Sequence, residues 1–261
     1  MTLALIDGDL ICYRCAASAE HEELDVAESR AHLLLDRILH ETNALDYELY
    51  IAGSNNFRYK LYPEYKGNRT QPKPRWLQEV REYLVKQCKA QIVNDIEVDD
   101  KLGIQQTKYQ LESIICSLDK DLLQIPGRHF SWEIQGTSST GKVWTRPAGV
   151  RFISPFDGTR IFYKQLLLGD QSDNIPGFDG KLRNTTPKFV AALQEPINSM
   201  FDEFEMYEYV KSQFKIDGID TFAQLLWILK EEEGFWKVPT QTENGPQGDL
   251  EDLSLEFSEQ E

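Results

Sequence analysis

Nine carboxylates fall into four short clusters along this chain: Asp7 and Asp9; Glu97, Asp99 and Asp100; Asp119 and Asp121; and Asp170 with Asp173. The last pair lies in Gly169-Asp170-Gln171-Ser172-Asp173-Asn174-Ile175-Pro176-Gly177. Its spacing puts both acids on one side of a helical turn, where like charges repel. A divalent cation gathering oxygen ligands from distant segments gives a reason for such crowding. Oxygen-only ligation favours Mg2+ or Mn2+ over zinc or copper. Paired ions about 3.5–4 Å apart activate water and stabilise the leaving oxygen in phosphodiester hydrolysis. Taken singly, each cluster reads more readily as solvated surface; the question is whether the four converge.

The elements between the clusters supply a reason for convergence. Leu3 to Ile6 reads as a buried strand with Asp7 at its carboxyl end. Further strands are expected over Tyr47–Ala52, Gln91–Val93 and Ser113–Ser117, the last followed by Asp119 and Asp121. Helices are expected over Asp25–Thr42, from Leu77 to Cys88 and from Glu97 onward, the last with an acidic first turn that suits the helix dipole. A hairpin or meander covers His129 to Ile153, a helix runs from Phe156 to Leu168, and two more occupy Met200–Phe214 and Thr221–Lys230. Strands alternating with helices imply a parallel sheet. In open sheets of that kind, sites form beyond the carboxyl ends of the strands, where these acids fall.

The formal net charge of the 261 residues is −15, which argues against a phosphate-binding surface until its distribution is considered. The stretch from Gln241 to Glu261 carries seven acids and no Lys or Arg, so the rest of the chain holds only −8. Arg58, Lys60, Lys66, Arg69, Lys73 and Arg75 face a single acid, Glu64, over Arg58–Arg75. Charge is segregated, which permits a nucleic-acid substrate. The four cysteines fit reduced thiols, and the lone Cys12-Tyr13-Arg14-Cys15 spacing lacks the further ligands that zinc requires. The amino-terminal residues lack a basic region before Asp7, and no apolar run approaches a membrane span, so a cytoplasmic location without membrane attachment is expected.

Taken together, Ile6-Asp7-Gly8, Phe57-Arg58, Tyr65-Lys66-Gly67-Asn68-Arg69, Glu97-Val98-Asp99-Asp100, Ser117-Leu118-Asp119-Lys120-Asp121 and Gly169 through Gly177 resemble the 5′-nuclease family. That family includes phage 5′–3′ exonucleases, flap endonucleases and the 5′-nuclease domain of bacterial DNA polymerase I. The resemblance covers roughly Leu3 to Leu193 in the expected order. It implies an α/β fold: a parallel-sheet, PIN-like nuclease core over residues 1–174 with a helical arch at about 55–75. The resemblance also implies a helical duplex-binding region at 175–239, and composition leads us to expect an acidic, disordered tail at 240–261.

The implied activity is divalent-metal-dependent 5′–3′ exonuclease or flap endonuclease action on DNA near 5′ ends, including removal of RNA primers in phage replication. The implied cofactor is Mg2+ or Mn2+, as two ions. Asp7, Glu97, Asp99, Asp100 and Asp119 would serve the first, and Asp121, Asp170 and Asp173 the second. Lys66 and Arg69 are the implied catalytic cations on the arch. Arg58, Tyr65, Lys181, Arg183 and Lys188 join them as nucleic-acid contacts, with Tyr65 stacking on a terminal base. The implied partner is duplex DNA with a 5′ end or flap, or an RNA–DNA hybrid, bound by a monomer whose acidic tail is available to a replication partner. The alternative is a noncatalytic nucleic-acid binder of the same fold.

Two departures from the family pattern matter. No acid follows the second strand, and the gap falls at Gly53. After Gly177, the usual Gly-Ile-Gly-Pro-Lys hairpin is replaced by Gly180 through Lys188, in which Thr186 and Pro187 read as N-cap and first helical residue.

Overall fold

The computed structural model describes residues 2–138 and 140–241. The acidic tail from residue 242 on lies outside the described residues.

Short, largely apolar segments pair edge to edge to build a six-stranded sheet in the order β3-β2-β1-β4-β5-β8. Its strands are β1 (Leu3–Asp7), β2 (Asp46–Ala52), β3 (Gln91–Val93), β4 (Ser113–Cys116), β5 (Gly127–Ser131) and the edge strand β8 (Gly149–Ile153). The first five run parallel, and only β8 is antiparallel to its neighbour β5. The intervening β6 (Ile134–Thr137) and β7 (Val143–Arg146) leave the sheet as a separate two-stranded hairpin. Central β1 and β4 are almost wholly buried because a parallel sheet is covered on both faces.

On one face lie α1 (Gly8–Ser18), α2 (Leu24–Thr42) and α4 (Leu77–Gln87), burying Ile11, Ala27, Ala31, Leu35, Val80 and Leu84 with Ile6, Leu49 and Ile114. A four-residue helix, α3 (Arg58–Leu61), precedes α4. The opposite face is covered by α5 (Val98–Tyr109), whose Val98 and Leu102 pack with Leu5, Tyr50 and Ile115. The expected arch is therefore helical only at its base: between α3 and α4, residues 62–76 are turns and irregular chain.

Beyond the sheet, α6 (Pro155–Leu168) centres a second core with α7 (Lys188–Gln194), α8 (Glu203–Gln213) and α9 (Ile219–Leu226). Phe162, Tyr163, Leu166 and Leu167 of α6 meet Val190, Met206, Val210 and Ala223 there. Pro187 is the N-cap residue of α7 and Lys188 its first residue, one position later than the sequence pattern suggested. Tyr65 belongs to this second core, and Ile228 returns to the α5 side of the sheet. The boundary expected near residue 174 is thus crossed by shared packing in both directions.

Candidate active site

β1 delivers Asp7 to the carboxyl rim, where the side chain also caps α1 by accepting from Leu10 N at 3.2 Å. Ser117, just past β4, donates to the second Asp7 oxygen at 2.9 Å, while its own Oγ accepts from Asp119 N at 3.0 Å. Asp119 in turn accepts from Asp121 N at 2.8 Å. Adjacent parallel strands thus present Asp7 and Asp119 side by side, and α5 brings Glu97 and Asp99 to the same rim as N-cap and first-turn residues.

Asp170 and Asp173 arrive differently from the helical turn expected of their spacing. Residues 170 and 175 form an isolated antiparallel bridge, with Asp170 N to Ile175 O at 2.8 Å and Ile175 N to Asp170 O at 2.7 Å. Asp170 Oδ1 accepts from Ser172 N at 2.7 Å, Ser172 Oγ at 2.5 Å and Asp173 N at 3.2 Å, which closes an Asx turn. Gly169 adopts φ +74, and a Cβ there would stand 2.4 Å from Gly177 N, so only glycine lets the chain cross itself at this point.

Mutual repulsion shows in the titration of the cluster. Burial, then the field of Asp9, raises Asp7 to about 7. Burial and the charges of Asp119 and Asp170 raise Asp121 to about 8. Asp99 is pushed well above the usual carboxylate range by burial and by Asp119, Asp7 and Glu97; Asp119 is pushed up by desolvation within the crowded rim, although the residue itself is exposed at the cleft, and by Asp170 and Asp173. Asp170 runs the other way: burial disfavours its charge, but hydrogen bonds from Ser172, Asp121 and the turn amides outweigh it and hold the carboxyl low. Acids from separate segments therefore sense one another across one site.

A strap lies across that site. Lys66 N donates to Asp173 O at 2.9 Å, Asn68 Nδ2 to Gln171 O at 2.5 Å, and Asn174 Nδ2 to Glu64 O at 2.9 Å, stapling residues 64–69 to the Asp170 turn. Lys66 and Asn174 both take left-handed backbone conformations, φ 56 and φ 60. The Lys66 ammonium pairs with Glu97 and lies 3.7 Å from Asp173, while Arg69 Nη2 meets Asp173 at 2.6 Å. Burial opposes the Lys66 charge, yet Glu97 and Asp173 raise its pKa. Among the described residues no three acidic, His or Cys side chains enclose a metal position. At the Glu97–Asp173 edge a protein cation already supplies the countercharge. An all-oxygen, mutually repelling donor set still fits a hard divalent cation once that ammonium yields its place.

Three residues grouped with the site by sequence pattern take other roles in the structure. Asp100 is fully buried, and both its oxygens are held: by Arg58 Nη1 at 2.6 Å and Nη2 at 2.9 Å, by Glu97 N at 2.9 Å and by Leu229 N at 3.0 Å. No lone pair points to the rim, so Asp100 is corrected from metal ligand to structural partner. Arg58, only 2% exposed, also donates to Leu225 O at 2.8 Å and Trp227 O at 2.7 Å, so it is corrected from nucleic-acid contact to internal clamp. Tyr65 is equally buried, its hydroxyl 2.8 Å from Asp173 Oδ2, so its ring offers no stacking face. The half-exposed rings beside the cleft are Tyr13 and Tyr59. Tyr59 packs edge-on against Tyr65 at 5.5 Å, and the polar loop around it carried no sequence signal of that placement.

The cleft above the rim encloses about 590 Å³ and is bordered by Asp7, Asp99, Asp119, Glu97, Lys66 and Arg69. Arg81 of α4 also reaches it, a residue hidden in the sequence by ordinary helix composition. It pairs with Asp9 at 2.5 Å, and Asp9 accepts from Ala52 N at 3.1 Å. That arrangement accounts for Gly53. A Cβ there would lie 2.2 Å from Asn94 Oδ1 and 2.8 Å from Val93 O, so no side chain fits, and the end of β2 receives its carboxylate from Asp9 instead. On the far side, Arg183 is bound to Asp179 at 2.5 Å and Lys181 lies 3.9 Å from the same acid, while Lys188 is exposed at the start of α7.

No family profile matches the chain. Curated relatives include DNA polymerase I of Bacillus caldotenax, 28% identical over 201 residues, which takes in 72% of this chain and 23% of the relative. DNA polymerase I of Bacillus subtilis is 26% identical over 242 residues, or 88% of this chain and 27% of the relative. The chain thus spans about a quarter of the length of the polymerases it matches. Among solved structures, a bacteriophage T5 flap endonuclease, an Asp-to-Lys variant in a pseudo-enzyme–product complex with DNA and metal ions, aligns with TM-score 0.56 at 16% identity. That alignment covers 88% of this chain and 89% of the other. The same phage protein co-crystallised with metal ions aligns with TM-score 0.54 at 18% identity, covering 87% and 84%. The resemblance to 5′ nucleases carried by the motifs extends to the fold.

Proposed function

We propose that this chain is a divalent-metal-dependent 5′–3′ exonuclease or flap endonuclease that hydrolyses DNA phosphodiesters near 5′ ends, RNA primers included. The observation that carries this reading is the convergence of Asp7, Asp99, Asp119, Asp121 and Asp170 on one rim beneath a strap bearing Lys66 and Arg69. Kinship with DNA polymerase I and the fold of a flap endonuclease support it.

Asp7, Glu97, Asp99 and Asp119 would hold one Mg2+ or Mn2+, and Asp121, Asp170 and Asp173 a second. Bound ions of that kind supply a nucleophilic water and charge stabilisation at the leaving oxygen. The remaining work falls to the protein. Lys66 and Arg69 would orient the scissile phosphate and offset its developing charge from the wall of the cleft. Tyr13 and Tyr59 offer exposed ring faces on which terminal bases can stack. Lys188, exposed at the start of α7, would contact a duplex backbone. The chain acts as a monomer in the cytoplasm of its host cell, and among the described residues no helix is long and apolar enough to cross a membrane.

The test is a product-length assay on 5′-labelled blunt, nicked, flapped and RNA-primed duplexes, with Mg2+ and with EDTA. Short labelled products that require Mg2+ support the reading. Binding without cleavage on every substrate would instead establish a noncatalytic nucleic-acid binder.

A further inference from the structure

One cationic patch remains unused by the proposed mechanism. Arg146 of β7, Arg151 of β8 and Lys120 line a pocket of about 100 Å³ on the β5 side of the rim. Asp119 borders both this pocket and the main cleft, so the two adjoin. Lys120 also borders a third hollow of about 430 Å³, together with Arg69, Asp170 and Arg183. Among the described residues none of Lys120, Arg146 and Arg151 forms an ion pair, in contrast to Lys66, Arg69, Arg81 and Arg183. Three cations that form no close ion pair gather around a small concavity bordered by one carboxylate, Asp119, whose field Lys120 already offsets; Arg146 and Arg151 are left to suit an oxyanion.

The neighbouring aromatic narrows the ligand. Trp144 and Arg146 are two residues apart on β7 and share a face of the hairpin. Trp144 pairs with Gly136, whose absent side chain leaves room for the indole to lie flat: a Cβ there would stand 2.4 Å from Trp144 Cζ2. One ring face is thus backed by protein, and the residue remains 45% exposed. A flat, supported ring beside a cation pocket suits an unpaired base with its phosphate, because a base within a duplex has no free face.

Resting on the nuclease reading above, we propose that Lys120, Arg146 and Arg151 form a phosphate subsite, with Trp144 as its stacking platform, for an unpaired strand of the substrate leaving the rim on the β5–β8 side. This track diverges at Lys120 from the hollow that leads toward Arg183.

Binding of full-length protein to blunt duplex and to the same duplex with an unpaired 5′ extension, measured in EDTA across a salt series, tests the assignment. The double variant R146A/R151A should lose roughly tenfold in affinity for the extended substrate, with its salt slope reduced by about 0.7 for each phosphate no longer neutralised. Blunt-duplex affinity should stay at the wild-type level. Trp144→Ala should weaken the extended substrate by a similar factor without changing the slope. R146K/R151K, which keeps the charge, should retain the slope. Wild-type affinity of R146A/R151A for the extended substrate would overturn the subsite, as would an equal loss on both substrates. A variant that changed only its oligomeric state would overturn it too, and would assign the arginines to protection of the β8 edge. Wild-type protein that bound neither substrate would sink the nuclease reading itself, a result separable from all of these.

Discussion

At the residue scale, Lys66 has two roles with opposite signs. Its ammonium neutralises Glu97 and approaches Asp173, and under the proposed function it would face the phosphate once substrate binds. Lys66→Ala should therefore bind Mn2+ several-fold more tightly in the absence of DNA, because a competing cation is gone. The same variant should cleave more slowly under single turnover, by about a hundredfold, with little change in DNA affinity. Calorimetric titration with Mn2+ and rapid-quench kinetics check the two halves; weakened DNA binding with a rate that recovers at saturating enzyme would make Lys66 a grip residue. Asp173→Asn should lower cleavage at least about a hundredfold while leaving thermal stability and duplex affinity near wild type, since its carboxylate faces Lys66, Arg69 and Tyr65 and not the hydrophobic core. Wild-type turnover in Mg2+ would remove Asp173 from the site.

At the element scale, the acids reach the rim because parallel β1 and β4 end side by side, and because α5 starts there. Period and punctuation in the sequence reveal those elements: the strands at Gln91–Val93 and near Ser113 fall where their apolar runs predict. What sequence could not reveal was orientation. Asp100 follows Asp99 directly, yet the single residue step along the helix points it inward to Arg58. Adjacent acids in a motif look alike until a helix separates their directions by about 100°. Arg58 and Tyr65 misled for a related reason: a cation and an aromatic within a basic, polar stretch give no hint of burial by segments more than a hundred residues away. The Arg58–Asp100 clamp ties α3 and α5 to the last turn of α9 and the segment after it. Arg58→Ala strands a buried carboxylate and should destabilise the fold by about 3–5 kcal/mol. Urea denaturation checks this, and a loss below about 1 kcal/mol would show that the clamp is dispensable.

At the scale of the whole molecule, clustered acids cost stability that cations can restore. Asp7 and Asp121 titrate near 7 and 8 in the fold against 3.8 for an ordinary aspartate. Native protein then holds protons that unfolded chain has released, so their stabilising contribution is full below about pH 4 and is lost as pH rises to about 8. Buried His129, with its pKa lowered, and Lys230, lowered to about 8, add pH dependences of the opposite sign. Those two lie apart from the metal question, so the informative quantity is the difference in Tm between Mg2+ and EDTA. That difference should be small at pH 5 and grow through pH 8. A difference independent of pH would show that the carboxylates bind no ion as a group.

The central claim, that this carboxylate rim hydrolyses phosphodiesters through bound divalent ions, is met most directly by single-turnover cleavage of a 5′-labelled flap substrate across a Mg2+ titration, comparing wild type with Asp119→Asn. Asp119 faces Asp7, Asp99, Asp121 and Asp170 from one position, so its charge bears on the whole cluster. The predicted result is no cleavage in EDTA, Mg2+-dependent release of short products by wild type, and a loss of at least about a hundredfold in the variant with substrate binding preserved. Cleavage by wild type that persists in EDTA, or an Asp119→Asn enzyme as fast as wild type at every Mg2+ concentration, would contradict it.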